Sequence, residues 1–224
     1  MAVDWFPTGN SHTPVAYNSN WLVLDVGSGH NPHPRANVLL DKFLLDNDKT
    51  VGRSGRGVVL PDGKFFVVAD ACAMPFEDGT FDFSIASHIA EHIEHINDFC
   101  SELNRVSRGG YLETPSKFAE ILRHPPYHIW YVTNKGNMLY FEPTPQDGYP
   151  AGWVGKLFFS IYFYQSLQLQ GKDVFQFAFG ISKPWHYLFR GLRIILVRLW
   201  RRFKPLTYTR LLWFESFAWQ VKRQ

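Results

Sequence analysis

Short apolar runs, each closed by a turn signal, punctuate the first half of the chain. WLVLDV at 21–26 is bounded at once by Gly27-Ser28-Gly29 and then by Pro32 and Pro34, the pattern of a buried strand. VLLDKF at 38–43 predicts a second strand, FFVVAD at 65–70 a third, FDFSIAS at 81–87 a fourth after the turn EDGT, and GYLET at 110–114 a fifth. Between 91 and 107 the period changes. Ile93, Ile96, Phe99, Cys100, Leu103 and Val106 recur at helical intervals, with Glu94, Asn97, Ser101 and Asn104 on the other side, so an amphipathic helix is expected, stopped by Arg108-Gly109-Gly110. Only about a dozen residues separate the first two strands, the lower limit for a crossover helix, so the first helix is truncated. Residues 44–64, which include VGRSGRG, have turn residues and no helical period, and little regular structure is expected there. Strands alternating with a helix predict an open α/β sheet.

Length and charge divide the chain. Its 224 residues suit one substantial α/β domain with an appendage. The expected division is a domain over 1–150 and a basic, aromatic, helical extension over 151–224. Residues 181–224 hold ten Lys/Arg against one acid, Glu215, a net +9, while the rest of the chain carries thirteen basic and nineteen acidic groups, a net −6. Such asymmetry points to an anionic surface or partner. Cys72 and Cys100 form no disulfide framework and no zinc knuckle, which fits a reducing compartment. The first twenty residues have neither a basic n-region nor an apolar run, so a cytoplasmic protein is expected.

The strand ends carry the candidate chemistry. In an open parallel sheet a ligand lies beyond the carboxyl ends of the strands. Asp25-Val26-Gly27-Ser28-Gly29 follows the first strand, and its small residues let backbone approach a ligand closely. Asp41, with Lys42 beside it, ends the second and is placed to accept hydrogen bonds from both hydroxyls of a ribose. Asp70-Ala71 ends the third, where an acid can take an adenine amine and the next amide a ring nitrogen; Ser87 ends the fourth. A glycine turn alone is a weak signal, but with acids at the next two strand ends it describes an adenosine pocket. A dinucleotide fold competes, but it wants a third glycine and a helix N-terminus at a pyrophosphate, where this chain has Asn31 and Pro32.

On LDVGSG, the acid of LLDKF, ADACAMPFEDGTFDFSIASHIAEHI and SELNRVSRGGYLETP, residues 21–115 resemble the class I methyltransferases dependent on S-adenosylmethionine (SAM), of the type-11-like kind. The resemblance implies a Rossmann-like open sheet with SAM as cofactor, its methionine part held by Asp25, Gly27, Ser28 and Gly29, its ribose by Asp41, and its adenine by Asp70 and Ala71. Asn31, Lys42 and Ser87 complete the expected cofactor set. The short first crossover and missing third glycine depart from the family pattern, although members with the same short GSGxNPxP loop exist.

Methyl transfer needs an in-line approach and, for a hydroxyl or protonated amine, a base. His88, His92 and His128 are the candidates, His88 the best placed; each could equally cap a helix or bond the backbone. A metal reading is also open. His88-x-x-Glu91-His92, with His128 or His124, resembles the Glu-x-x-Glu-His ligand run of some RNA 2′-O-methyltransferases and quinone O-methyltransferases. His88 replaces the first Glu, and the Glu-His pair occurs in metal-free relatives, so no metal is assigned.

The HPPYHIWYV and GNMLYF segments resemble methyltransferases of cell-surface polysaccharide and glycolipid synthesis, which implies a small, glycan or lipid-linked acceptor. From Tyr187 to Phe203 a helix would gather Leu188, Leu192, Ile195, Leu199 and Trp200 against Arg190, Arg193, Arg201 and Arg202. Such a helix suits an anionic membrane surface, or it packs on the acidic domain with its arginines reaching water. No nucleic-acid recognition module is visible. The expected activity is methylation of O or N in the cytoplasm, at the inner face of a membrane. The opposing reading is a non-catalytic module attached through its basic tail.

Overall fold

The computed structural model describes residues 3–6, 15–44, 57–123, 127–145 and 204–222. The helix expected over Tyr187–Phe203, His124, and most of the 44–64 connection lie outside them. Three sheets are present among the described residues. Strands β1 (Val3–Phe6) and β2 (Val15–Asn18) form an antiparallel pair that the sequence pattern had not indicated. The central sheet contains β3 (Val23–Val26), β4 (Val38–Asp41), β5 (Phe65–Val68), β6 (Phe83–Ser87), β7 (Gly109–Pro115) and β10 (Tyr208–Phe214), in the order β10-β7-β6-β3-β4-β5. Strands β3 to β7 are mutually parallel. A third sheet pairs β8 (Trp130–Lys135) antiparallel with β9 (Met138–Pro143), and β9 parallel with β11 (Ala218–Val221).

All five predicted strands are present, shortened where backbone bonds redirect the chain. The second stops at Asp41 and the third at Val68, so Lys42 and Asp70 lie in the turns beyond. Phe81 makes only an isolated bridge to Ser107 before β6 begins. Where a truncated helix was expected between β3 and β4, the described residues form only turns, because the dozen or so residues are too few for even a short crossover helix. The helix expected over 91–107 is divided. A 3-10 turn covers Ala90–His92, Ile93 is extended, and α1 runs only from Ile96 to Val106. Its apolar face, Ile96, Phe99, Cys100, Leu103 and Val106, is fully buried, as its spacing required.

Both faces of the central sheet are apolar. Leu24, Val26, Leu40, Ala86 and Leu112 join the α1 residues in one cluster, while Val23, Leu39, Phe83, Ile85 and Tyr111 form another. Alternation along the strands thus buries both sides, the habit of parallel sheets. Gly110 is required here. A Cβ would strike the ring of Trp213 on β10 and the carbonyl of Ser84 on β6. Arg105 of α1 fastens the segment after β5: it pairs with Glu102 at 2.6 Å and Asp78 at 2.9 Å, and donates to the carbonyls of Phe76 and Met74.

The chain divides into two compact units, one of residues 1–115, 127–144 and 209–224, the other of 116–126 and 145–208. The division therefore differs from the one expected at residue 150: β10 and β11, from the anticipated extension, complete the sheets of the first unit. In the second unit, α2 (Lys117–Arg123) adjoins a 3-10 turn, Lys204–Thr207, to which Ser116 donates its amide at Thr207 and its hydroxyl at Leu206. No helix among the described residues is long and apolar enough to cross a membrane.

Candidate active site

The central sheet reverses its winding at β3, with β4 and β5 on one side and β6 and β7 on the other. Loops leaving adjacent strands in opposite directions open a crevice at their carboxyl ends. The predicted cofactor residues meet at this point.

Gly27 and Gly29 adopt φ of 72° and 53°, the left-handed region that a Cβ disfavours. A Cβ on Gly27 would also lie 2.6 Å from Cδ1 of Ile89, the residue after His88, so the turn after β3 and the turn after β6 touch. The amides of Gly27 and Ser28 both donate to the carbonyl of Leu40, and Asp41 Oδ2 accepts the amide of Gly29 at 2.9 Å. Oδ1 of Asp41 accepts from Phe43 at 3.0 Å. Asp25 is buried and its Oδ2 accepts the amide of His33 at 2.6 Å. Burial pushes its pKa up to about 7, against the lowering effect of that bond and with some help from the charge of Asp41. Lys64 closes the same loop by donating to the carbonyls of Pro34 and Ala36.

Asp70 receives Lys42 Nζ at 2.7 Å and the amide of Cys72 at 2.9 Å. These bonds, Lys42 foremost, hold its pKa below the ordinary carboxylate value. Lys42 and Asp70 are thus brought together as a pair, whereas the sequence offered them separately to the cofactor. Ala71 is buried beside them, and Asn31 is exposed, with its amide on the carbonyl of Ser28 at 3.3 Å.

Two observations test this crevice for SAM. It is lined by a glycine turn that a side chain would fill. Ser28 Oγ and Ser87 Oγ, at the ends of adjacent strands, are buried and find no hydrogen-bond partner among the described residues. Buried hydroxyls without partners are costly, and a polar ligand relieves them. The residues fit a nucleoside with a polar tail.

Beside it lies a cluster of histidines and carboxylates. His88 takes a φ of 57°, which turns the chain sharply after β6. Its Nδ1 is 3.3 Å from Oε1 of Glu91, and its Nε2 is 3.8 Å from Oε1 of Glu113 at the end of β7. Glu113 is fully buried, and its Oε2 accepts the Tyr111 hydroxyl at 2.5 Å and Arg210 Nε at 3.1 Å. Glu91 is buried as well. Burial raises its pKa, but the adjoining imidazoles of His88, His92 and His128 outweigh that and bring it below the usual carboxylate range. His92 Nδ1 contacts the Tyr127 carbonyl at 3.2 Å. Burial lowers the His92 pKa, with Glu91 opposing. His92 and His128 meet edge to face, their rings 4.6 Å apart. Glu91, His92 and His128 form a group able to hold a metal ion, a geometry that the sequence had left open without assigning.

Sequence reasoning missed Arg210 and Tyr111 as supports of Glu113. Arg210 stands ninety-seven residues away in sequence, and only the seating of β10 against β7 brings it in. A buried acid at a strand end was the available signal, since such a charge requires a partner.

Residues 24–113 match a family model described as a methyltransferase domain. No curated protein matches the chain. Among solved structures it is similar to the YcgJ protein of Bacillus subtilis (19% identity, 47% of this chain and 51% of that one, TM-score 0.35). It is also similar to an S-adenosylmethionine-dependent methyltransferase of Mesorhizobium loti (18%, 56% and 57%, TM-score 0.33). A third is 1,6-didemethyltoxoflavin-N1-methyltransferase of Burkholderia thailandensis, solved with 1,6-didemethyltoxoflavin and S-adenosylhomocysteine (10%, 51% and 62%, TM-score 0.32). The chain spans 51% of the length of the first of these and 62% of the last. The match over 24–113 takes in the strand-end residues of this crevice, Asp25, Gly27, Gly29, Asp41 and Asp70, so it is to a methyltransferase domain that the segment bearing the site is similar.

Proposed function

We propose that the protein transfers the methyl group of SAM to an oxygen or nitrogen of a small, glycan or lipid-linked acceptor, with a histidine beside the glycine turn as the proton acceptor. The observation that carries this reading is the close approach of Ile89 to Gly27, which sets the His88 turn beside the glycine turn that would hold the methionine end of SAM. SAM supplies an electrophilic methyl on a sulfonium. The chain's own residues then bind and orient: Gly27, Ser28 and Gly29 with Asp25 at the methionine end, Asp41 at the ribose, Asp70 and Ala71 at the adenine, Ser87 at the floor.

His88 lies between two buried carboxylates, Glu91 and Glu113, which hold its ring beside the glycine turn where an acceptor would approach. His92 has its Nδ1 engaged at the Tyr127 carbonyl, which fixes its ring beside the cluster. The experiment is methyl transfer from labelled SAM to hydroxyl- and amine-bearing acceptors, glycans and lipid-linked sugars included. His88→Ala is expected to lower kcat by about 100-fold or more. Unchanged turnover in both His88→Ala and His128→Ala, with every acceptor, overturns the assignment of the base.

The acceptor's attachment to a membrane is supported by the basic excess of residues 181–224. Removing that whole segment would also remove β10 and β11, so charge neutralisation tests it better. Replacing Arg190, Arg193, Arg201 and Arg202 by Gln is expected to release the protein from anionic vesicles; undiminished binding, or none in the wild type, contradicts the membrane reading.

A further inference from the structure

We propose that Glu91, His92 and His128 form a site for a divalent transition-metal ion, one carboxylate and two imidazoles that leave coordination positions open toward the acceptor side. One ligand atom of each residue lies within 4.8 Å of the others. A tetrahedral ion with bonds of about 2.1 Å would hold its ligands roughly 3.4 Å apart, so the three side chains need close by at most about 1.4 Å.

The tautomer of His92 supports this. A carbonyl oxygen only accepts, so the contact at Tyr127 fixes the proton on Nδ1 and leaves the lone pair on Nε2. That lone pair faces Oε1 of Glu91 at 4.0 Å. Two electron-rich atoms opposed in a buried setting repel unless a proton or a metal cation stands between them. An imidazole anchored to a backbone carbonyl through its other nitrogen is also the usual arrangement of a metal ligand.

The carboxylate of Glu91 gives an independent reason. It is 1% exposed, and neither oxygen accepts a well-formed hydrogen bond among the described residues, although His88 approaches to 3.3 Å. Both oxygens of a buried carboxylate so placed are available to a ligand ion lying among the imidazoles.

The frame is tied before any ion arrives. The Ile129 amide donates to the Glu91 carbonyl at 2.8 Å and Trp130 Nε1 to Ile93 at 2.6 Å, joining the 3-10 turn to β8. Thr144 closes the other side, its hydroxyl on the His128 carbonyl at 2.8 Å. Two nitrogens and one oxygen favour zinc, cobalt or iron over magnesium and calcium, which prefer oxygen alone.

The full-length protein, cleared of metal with a chelator, is titrated with Co²⁺ while its visible absorption is followed, and then with Zn²⁺ in competition. One Co²⁺ per chain is expected, displaced by Zn²⁺. Glu91→Gln and His128→Gln each weaken binding by at least about 100-fold, beyond the range typical of outer-shell changes. His92→Gln, at a half-buried position, does the same if either of those variants fails to fold. His95→Gln, outside the cluster, leaves binding unchanged. No visible band from the folded wild type, or equal binding by all the variants, overturns the site. SAM titrated into the same samples separates this failure from that of the methyltransferase reading, because the metal inference rests on these side chains alone.

Discussion

Asp41 Oδ2 accepts the backbone amide of Gly29 across 2.9 Å, so the acid expected to hold a ribose also fastens the glycine turn. Its other oxygen holds the Phe43 amide. A carboxylate has lone pairs to spare, and both duties are compatible. Asp41→Ala should therefore cost stability before any ligand is added, about 1.5–3 kcal/mol for hydrogen bonds to a charged acceptor. Asp41→Asn, which keeps an acceptor for one amide, should cost less. Chemical denaturation without SAM measures both; equal stability of wild type and Asp41→Ala contradicts the fastening role.

Gly27 is expected to resist substitution for two separable reasons. Alanine at φ 72° costs about 1–2 kcal/mol, and its Cβ meets Ile89. Thermal unfolding of Gly27→Ala, Ile89→Ala and the double variant should show less than additive loss, the clash being relieved and the backbone strain remaining. Strict additivity would mean that the two turns do not press on one another.

Asp25 predicts a particular dependence of stability on pH. Its folded pKa of about 7 exceeds the unfolded value of 3.8, so between these values the unfolded chain has released a proton that the folded chain retains. Stability from this group is intact below about pH 4, falls as pH rises to about 7, and is level above, a decline on the order of 4 kcal/mol. Asp25→Asn keeps an acceptor for the His33 amide and removes the titration. Denaturation midpoints measured from pH 4 to 8 should fall less steeply in this variant; parallel profiles would show that Asp25 is ionised throughout.

Lys42 and Asp70 are exposed, at 57% and 39% of their side chains, and exposed pairs contribute about 0–1 kcal/mol. Lys42→Ala should leave the unfolding free energy within about that range. A larger loss would assign the pair a structural role and make its displacement by an adenine amine costly.

Much of this arrangement was legible in the chain. Apolar runs ending in Asp25, Asp41 and Ser87 gave strands whose carboxyl ends meet, because a short run bounded by glycine or proline has few other ways to be buried. The helix from Ile96 was legible for the same reason, its apolar side being continuous. Its start was not: Ile93 adopts an extended conformation, a choice that does not show in hydrophobic spacing. The pairing of His92 with His128 across thirty-six residues, and of Arg210 with Glu113 across ninety-seven, depends on how β8 and β10 are seated, which local pattern does not encode. The β1–β2 pair escaped notice because its four-residue strands sit among polar and turn residues.

Calorimetric titration of SAM into the purified full-length protein, with Asp41→Ala and Asp70→Ala as controls, tests the central claim most directly. Binding of one SAM per chain, weakened about 10-fold or more by either substitution, is the predicted result. Folded wild-type protein that binds no SAM, with or without Zn²⁺, would contradict it.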